Sequence, residues 1–521
     1  GLPQTFDPAF AAAPPDTDLI RAIFEGLTDY DPRTLTTIPA VAKRWEPSND
    51  GRVWTFYLRD DARWSNGESV TAADFVRSWK RTMKIGELAP HTELLANIQG
   101  ARAENAATQK SKPTGATNSA RSGETAPSQD RFGVEAVSER VLRVHLRRPD
   151  LNFPALVAHP VFRPVKVQDE SATGKLPADG LVSNGAFSLA RTEGERVLLE
   201  RASHYWDKDQ VMLQQVEFVD EKNAESALAA YRAGRVDAVT NAAFEPLAIK
   251  LLTPYEDFRR TTYGALTYYS FNTANPPFDD IRVREALTIG IDRDRLSADE
   301  MGGATEPAKR FLPQMAPNAQ EPVVNKSEAV DKEYERAREL LTEAGFPGGE
   351  GFPKIRLLIN RNGQQRIVAQ AIAQMWRNVL NIESEIVVKN WDEYEAAIRA
   401  GDYDVVRRGL VMQTTDELTI MRKIFEGSAP AAAVAESGMP AETPNEQAPG
   451  ERDKPLRAAE PIETEAQALK SLSAMPIYFA SSYSLVKPYV SGFDSNVLDA
   501  PSLKSVQINT NWKPSERGGT R

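Results

Sequence analysis

Hydrophobic and polar positions along this chain keep two rhythms, one of period two and one near 3.6, and the switches between them mark out the elements. From Val53 to Leu58, Trp54, Phe56 and Leu58 alternate with Val53, Thr55 and Tyr57, the signature of a half-buried strand. Leu142, Val144 and Leu146 repeat that alternation until Pro149 ends it. Helical spacing governs Leu19, Ile20, Ile23, Phe24 and Leu27, behind Asp16 and Thr17 as candidate caps and with Gly26 near the end. Thr71 and Asp74 stand like a capping box with Asp in place of Glu, and predict a helix buried through Phe75, Val76, Trp79 and Met83. The turn Trp64-Ser65-Asn66-Gly67 precedes it. Residues 183–187 and 197–200 read as paired strands, 224–234 as a helix and 236–239 as a buried strand.

The second half begins with an aromatic, β-branched run that reads as a buried strand up to Phe271. Pro276-Pro277 forbids helix just before Ile281, Ala286, Leu287 and Ile291, so the next helix starts near Asp279 or Asp280. Tyr334, Ala337, Leu340 and Leu341 make another helix, ended by Gly345 before Pro347. Strand 355–359, helix 364–380, strand 382–388, helix 391–400 and strand 403–412 then alternate. Such a βαβαβ run predicts a parallel sheet with right-handed crossovers, and sheets of that kind bind ligands beyond the carboxyl ends of their strands.

Composition narrows the function. A chain of 521 residues with 41% hydrophobic content needs more than one core, and none of its apolar runs approaches the ~18 residues that span a bilayer. The net charge of -10 argues against nucleic acid as a partner. Cysteine is absent, which removes disulfides, thiolate metal sites and cysteine nucleophiles. The four histidines (His91, His145, His159, His204) show no ligand spacing, and no nucleophile elbow, P-loop or HExxH string occurs. The expectation is therefore no catalytic residue, no metal and no cofactor. Residues 101–131 lack Val, Ile, Leu, Met and aromatics, while 428–466 hold six prolines and no aromatic. Both are expected to be disordered insertions. The chain begins at Gly1 with no basic-then-apolar leader, so a signal segment is read as removed or not included.

Three strings together carry a resemblance. Pro3-Gln4-Thr5-Phe6-Asp7-Pro8 with Ile23-Phe24-Glu25-Gly26-Leu27 is the first. The block from Asp50-Gly51 through Trp54-Thr55-Phe56, Trp64-Ser65-Asn66-Gly67-Glu68 and Asp74-Phe75 to Trp79-Lys80-Arg81 is the second. The third is the aromatic strand ending in Asn272-Thr273 followed by Pro277-Phe278-Asp279-Asp280-Ile281-Arg282-Val283-Arg284. They resemble the family 5 extracellular solute-binding proteins, the peptide-binding components of ABC importers. The resemblance implies an α/β, two-lobed, periplasmic-binding-protein-like fold with an extra subdomain in lobe 1. Residues 1–262, including a subdomain at about 31–160, would form lobe 1, with 272–476 forming lobe 2 and 477–521 returning to lobe 1. The crossings fall near Tyr268 and Tyr478.

The family's function would follow. It implies a non-enzymatic monomer outside the cytoplasm, periplasmic or on the cell surface, that captures a peptide or similar polar solute in an interlobe cleft and delivers it to a membrane ABC permease. A lipoprotein anchor stays open, as does the alternative of a chaperone-like or receptor protein on the same scaffold. The second-lobe signature places Trp391, Arg407 and Gln413 at the ligand, with Glu25, His91, Tyr269 and Asn272 as further contacts. Two departures stand out: Leu410 replaces a usual Trp, and Gln413 replaces the Asp that in oligopeptide binders pairs with the ligand's ammonium. Gln413 carries no such charge.

Overall fold

The alternation over Val53–Leu58 is realised as a strand that buries Trp54, Phe56 and Leu58 and half-exposes the residues between them. This is one element of a computed structural model that describes residues 1–101, 132–167, 174–313, 326–425 and 461–513. The strand pairs antiparallel with Ala42–Pro47 on one side and Val141–His145 on the other, and Val134–Ser138 completes a four-stranded sheet. Helix Ala72–Ile85 packs on it, starting where the Asp74 carboxylate accepts from the Thr71 N–H (2.8 Å) and hydroxyl (2.9 Å), as the capping pattern predicts. Its Trp79 lies edge-on to Phe75 (6.4 Å) and Phe162 (5.2 Å) and donates its indole N–H to the Phe162 carbonyl (2.7 Å). Each such fully buried aromatic contributes about 1.5–3 kcal/mol of transfer free energy.

By its contacts the chain divides into two compact units. One comprises Gly1–Thr261, Gln413–Asp416 and Ser482–Arg521, the other Thr262–Met412 and Glu417–Ser481. Strands Phe258–Phe271 and Ala474–Val486 each contribute residues to both units. In the second unit, Ile355–Asn360 runs parallel to Ser384–Lys389 and to Val405–Val411, with helices Gly363–Leu380 and Trp391–Ala400 between them. The expected βαβαβ sheet is thus present. Phe258–Phe271 joins it antiparallel to Val405–Val411, placing Tyr269 directly opposite Arg407. Helix Ile281–Ile289 begins at Asp280, whose carboxylate accepts from the Arg282 N–H (2.8 Å).

Four local expectations are corrected. The first long helix spans Asp16–Ile23 with Pro15 as N-cap, so Asp16 and Thr17 lie inside it and Gly26 outside. It stops because the Gly185 N–H takes the Ile23 carbonyl (2.8 Å), while the Asn184 side chain bonds the Glu25 N–H (3.1 Å) and carbonyl (3.0 Å). The same contacts keep 183–186 out of the sheet, and the strand begins at Phe187, paired with Arg196–Arg201. The strand read over 236–239 shrinks to Ala238–Val239. The expected insertion at 428–466 ends early: helix Glu465–Ser471 starts at Thr464, and buried Glu465 accepts from Arg310 and from the Leu312 N–H (2.8 Å). Residues 428–460 of that segment, and 102–131, lie outside the described residues; Ala101 is buried.

Candidate functional site

The carboxyl ends of the parallel strands are where side chains are freed from the sheet. Strand Ser384–Lys389 ends in Asn390, which caps the next helix by accepting from the Glu393 N–H (3.1 Å). That cap sets Trp391 at the first helical position, 61% exposed, with its ring 5.6 Å from Tyr394. An indole left this open is unusual for so large an apolar surface. Tyr394 is buried among Leu358, Tyr403 and Val406, donates its hydroxyl to the Arg407 carbonyl, and has its pKa pushed up to about 12 by burial.

Arg407 lies on the sheet face that also carries Thr267 and Tyr269. Its Nη2 donates to the Thr267 hydroxyl (3.3 Å), and among the described residues its buried Nε meets no acceptor. Gly409 makes room for it, since a Cβ there would stand 3.0 Å from Nη2. The buried Tyr269 hydroxyl likewise has no partner among the described residues, and burial raises its pKa. Asn272 is occupied otherwise: Nδ2 donates to the carbonyls of Gly401 (3.0 Å) and Tyr403 (3.1 Å), and Oδ1 accepts from the Ala274 N–H (3.3 Å). In the second unit, Trp391 and Tyr394 thus stand on the sheet face of Leu358 and Val406, Arg407 and Tyr269 on the opposite face, and Asn272 ties strand to loop.

In the first unit, Glu25 is buried with both carboxylate oxygens engaged, one by the Tyr205 hydroxyl and the other by the Trp206 indole N–H (2.6 Å). Burial raises its pKa, against the opposing Lys504 charge and these two bonds. His91 donates Nε2–H to the Ala12 carbonyl (2.9 Å) and sets its ring edge-on to His159 at 4.8 Å. His159 in turn meets Oε1 of Gln413 (3.3 Å). So the structure brings His91, His159 and Gln413 together and keeps Glu25 in a separate aromatic cluster.

Sequence reasoning missed several of these groups. Tyr394 was detectable as a position one helical turn after Trp391. Tyr205-Trp206 is an aromatic pair in the sequence, but nothing in its spacing links it to Glu25, 180 residues before Tyr205. Arg21 and Asp18, polar positions on a helix that buries Leu19, Ile20 and Ile23, carried no local signal at all. Among the described residues no group of three His, Asp or Glu is placed to hold a metal ion, and no helix is long and apolar enough to cross a membrane.

Two α/β units joined through strands shared between them, with ligand-capable side chains beyond the ends of parallel strands, define the two-lobed periplasmic-binding-protein-like class. A solved structure of the MppA periplasmic murein tripeptide binding protein, in an unliganded open form, matches with a TM-score of 0.76 at 27% identity, covering 97% of this chain and 95% of that one. The chain belongs to the bacterial extracellular solute-binding proteins, family 5, whose middle-region model matches residues 36–431. Over 505 residues it is 30% identical to the periplasmic murein peptide-binding protein MppA of Escherichia coli (strain K12), covering 95% of this chain and 89% of that protein. Over 504 residues it is 29% identical to the periplasmic oligopeptide-binding protein OppA of the same strain, covering 94% and 88%.

Proposed function

We propose that this chain is an extracytoplasmic solute-binding protein that captures a peptide or similar polar solute and delivers it to a membrane ABC permease. It acts as a monomeric binding protein rather than an enzyme. The observation that carries this reading is similarity over nearly the whole chain to two proteins named for periplasmic peptide binding. The exposed Trp391 ring supports it locally, because a flat apolar surface beside polar strand ends suits stacking on a peptide-sized solute. Arg407, with a guanidinium nitrogen lacking an acceptor among the described residues, suits an oxygen of that solute. Engagement of Glu25 and Asn272 within the fold supports positioning roles for these two.

Binding should stabilise the folded chain by mass action, by about 2.7 kcal/mol at a hundredfold excess over Kd. The test is native mass spectrometry of the purified chain, followed by thermal shift of unfolded and refolded protein against short peptides. Co-purification of a peptide, and a Tm rise that Trp391→Ala reduces, is the expected result. A chain that carries no solute and shifts with no peptide overturns the reading.

A further inference from the structure

The pleat of strand Val405–Val411 puts Arg408 on the opposite face of the sheet from Arg407. That face is the one on which Val406 packs with Leu358, Tyr394 and Tyr403. Tyr268 lies directly across from Arg408 in the antiparallel pair. The Arg408 guanidinium is half-buried and donates to the Tyr268 hydroxyl, whose pKa burial raises against the opposing Arg408 charge. That partner is therefore a neutral phenol. Glu395 acts on Arg408 through its charge, yet the two form no ion pair among the described residues. A half-buried guanidinium with no bonded carboxylate has given up water without gaining a counter-ion, a state that a bound anion relieves.

The topology brings the exposed indole to the same end of that face. Helix Trp391–Ala400 follows strand Ser384–Lys389 and leads into Val405–Val411, which runs parallel to it in the sheet. The helix therefore runs back along the strands, and its first turn overlies their carboxyl ends. Tyr394 fixes the overlap, because its hydroxyl donates to the carbonyl of Arg407, the residue just before Arg408. Trp391 lies one turn further toward the strand ends, with its ring 5.6 Å from that of Tyr394 and open to solvent. Within the second unit, an exposed indole and a guanidinium bonded only to a phenol thus share one end of one sheet face, where ligands of α/β proteins bind.

We propose that Trp391 and Arg408 form a side-chain subsite that selects an acidic residue of the bound peptide, the indole packing on its methylenes and the guanidinium taking its carboxylate. This deepens the peptide-binding reading and rests on it. A carboxylate can accept two parallel N–H bonds from a guanidinium and supplies the missing counter-charge. A side-chain amide brings the oxygen without the charge, and an ammonium meets a like charge.

The test is calorimetric titration of refolded chain with tripeptides of alanine carrying glutamate at each of the three positions in turn, each beside its glutamine counterpart. Trialanine, its carboxy-terminal amide and glutarate complete the set. At one position, wild type should bind the glutamate peptide at least about tenfold more tightly than the glutamine peptide, the ratio one charge-assisted hydrogen bond supplies. Arg408→Gln should erase that preference, and Arg408→Lys should keep part of it, which separates lost charge from lost folding. Glu395→Gln, which lifts a competing carboxylate, should widen the preference, and Trp391→Ala should weaken both peptides of the pair. Equal binding of glutamate and glutamine peptides at every position overturns the proposal. So does a preference undiminished in Arg408→Gln. An Arg408-dependent preference for trialanine over its amide, with none for glutamate, would put the terminal carboxylate there and overturn the side-chain assignment. If no peptide binds but glutarate binds in an Arg408-dependent way, the peptide reading fails and the carboxylate subsite stands. If neither binds, the subsite fails as well.

Discussion

Replacing Asp18 by Asn should stabilise the protein at neutral and alkaline pH and do little in acid. Asp18 is 8% exposed, its Oδ1 is buried without a partner among the described residues, and Oδ2 has only a long contact from the Asn241 amide (3.5 Å). Burial is the main cause of a pKa raised from 3.8 to about 7, with the Arg21 charge opposing it. The sign follows from linkage: between these two values the folded state holds a proton that the unfolded chain has released, so stability falls as pH rises from about 4 to 7 and levels off above. At about 1.4 kcal/mol per pH unit the gap corresponds to roughly 4 kcal/mol. Asn removes this cost, but it also removes a negative charge from the first turn of helix Asp16–Ile23, worth about 0.3–1 kcal/mol in the opposite direction. A net gain of about 2–3 kcal/mol is expected above about pH 7.5, shrinking to nothing near pH 4. Thermal unfolding of both proteins across that range measures it, and the gain should appear as a Tm rise of roughly 2–5 °C. A variant less stable than wild type at alkaline pH, or a Tm difference that does not change with pH, would refute the reasoning.

Asp7→Ala removes a carboxylate that accepts from the buried Arg81 guanidinium (2.5 Å and 3.1 Å) and should cost about 1–3 kcal/mol, read as a fall in urea midpoint. Gly185→Ala should be more damaging, because the added Cβ would meet only backbone, the Ile23 carbonyl carbon at 2.5 Å and the Ala22 oxygen at 2.6 Å; soluble protein with wild-type Tm would contradict this. Gly409→Ala should leave stability within about 1 kcal/mol, since the flexible Arg407 end is what must move. Solute affinity measured by calorimetry should nevertheless drop several-fold, and unchanged affinity would remove Arg407 from the site.

Local rhythm and caps were enough to specify much of this protein. Strand Val53–Leu58, the Thr71–Asp74 box, the helix start at Asp280 and the alternation from Ile355 to Val411 were all legible, because period and capping are properties of neighbours in sequence. The family strings, too, are local. What the chain could not announce is how distant groups use its side chains. Helix Asp16–Ile23 stops because Asn184 and Gly185 claim its end, and Glu25 turns inward because Tyr205 and Trp206 supply donors. Trp391 is exposed rather than buried because its helix docks through Tyr394. The loss of a carboxylate at Gln413 is plain from the sequence; which end of its amide is free depends on His159, 254 residues away, and on the Val161 N–H that fixes that ring. Hydrogen-bond direction is a property of partners in space, and only tertiary structure decides it.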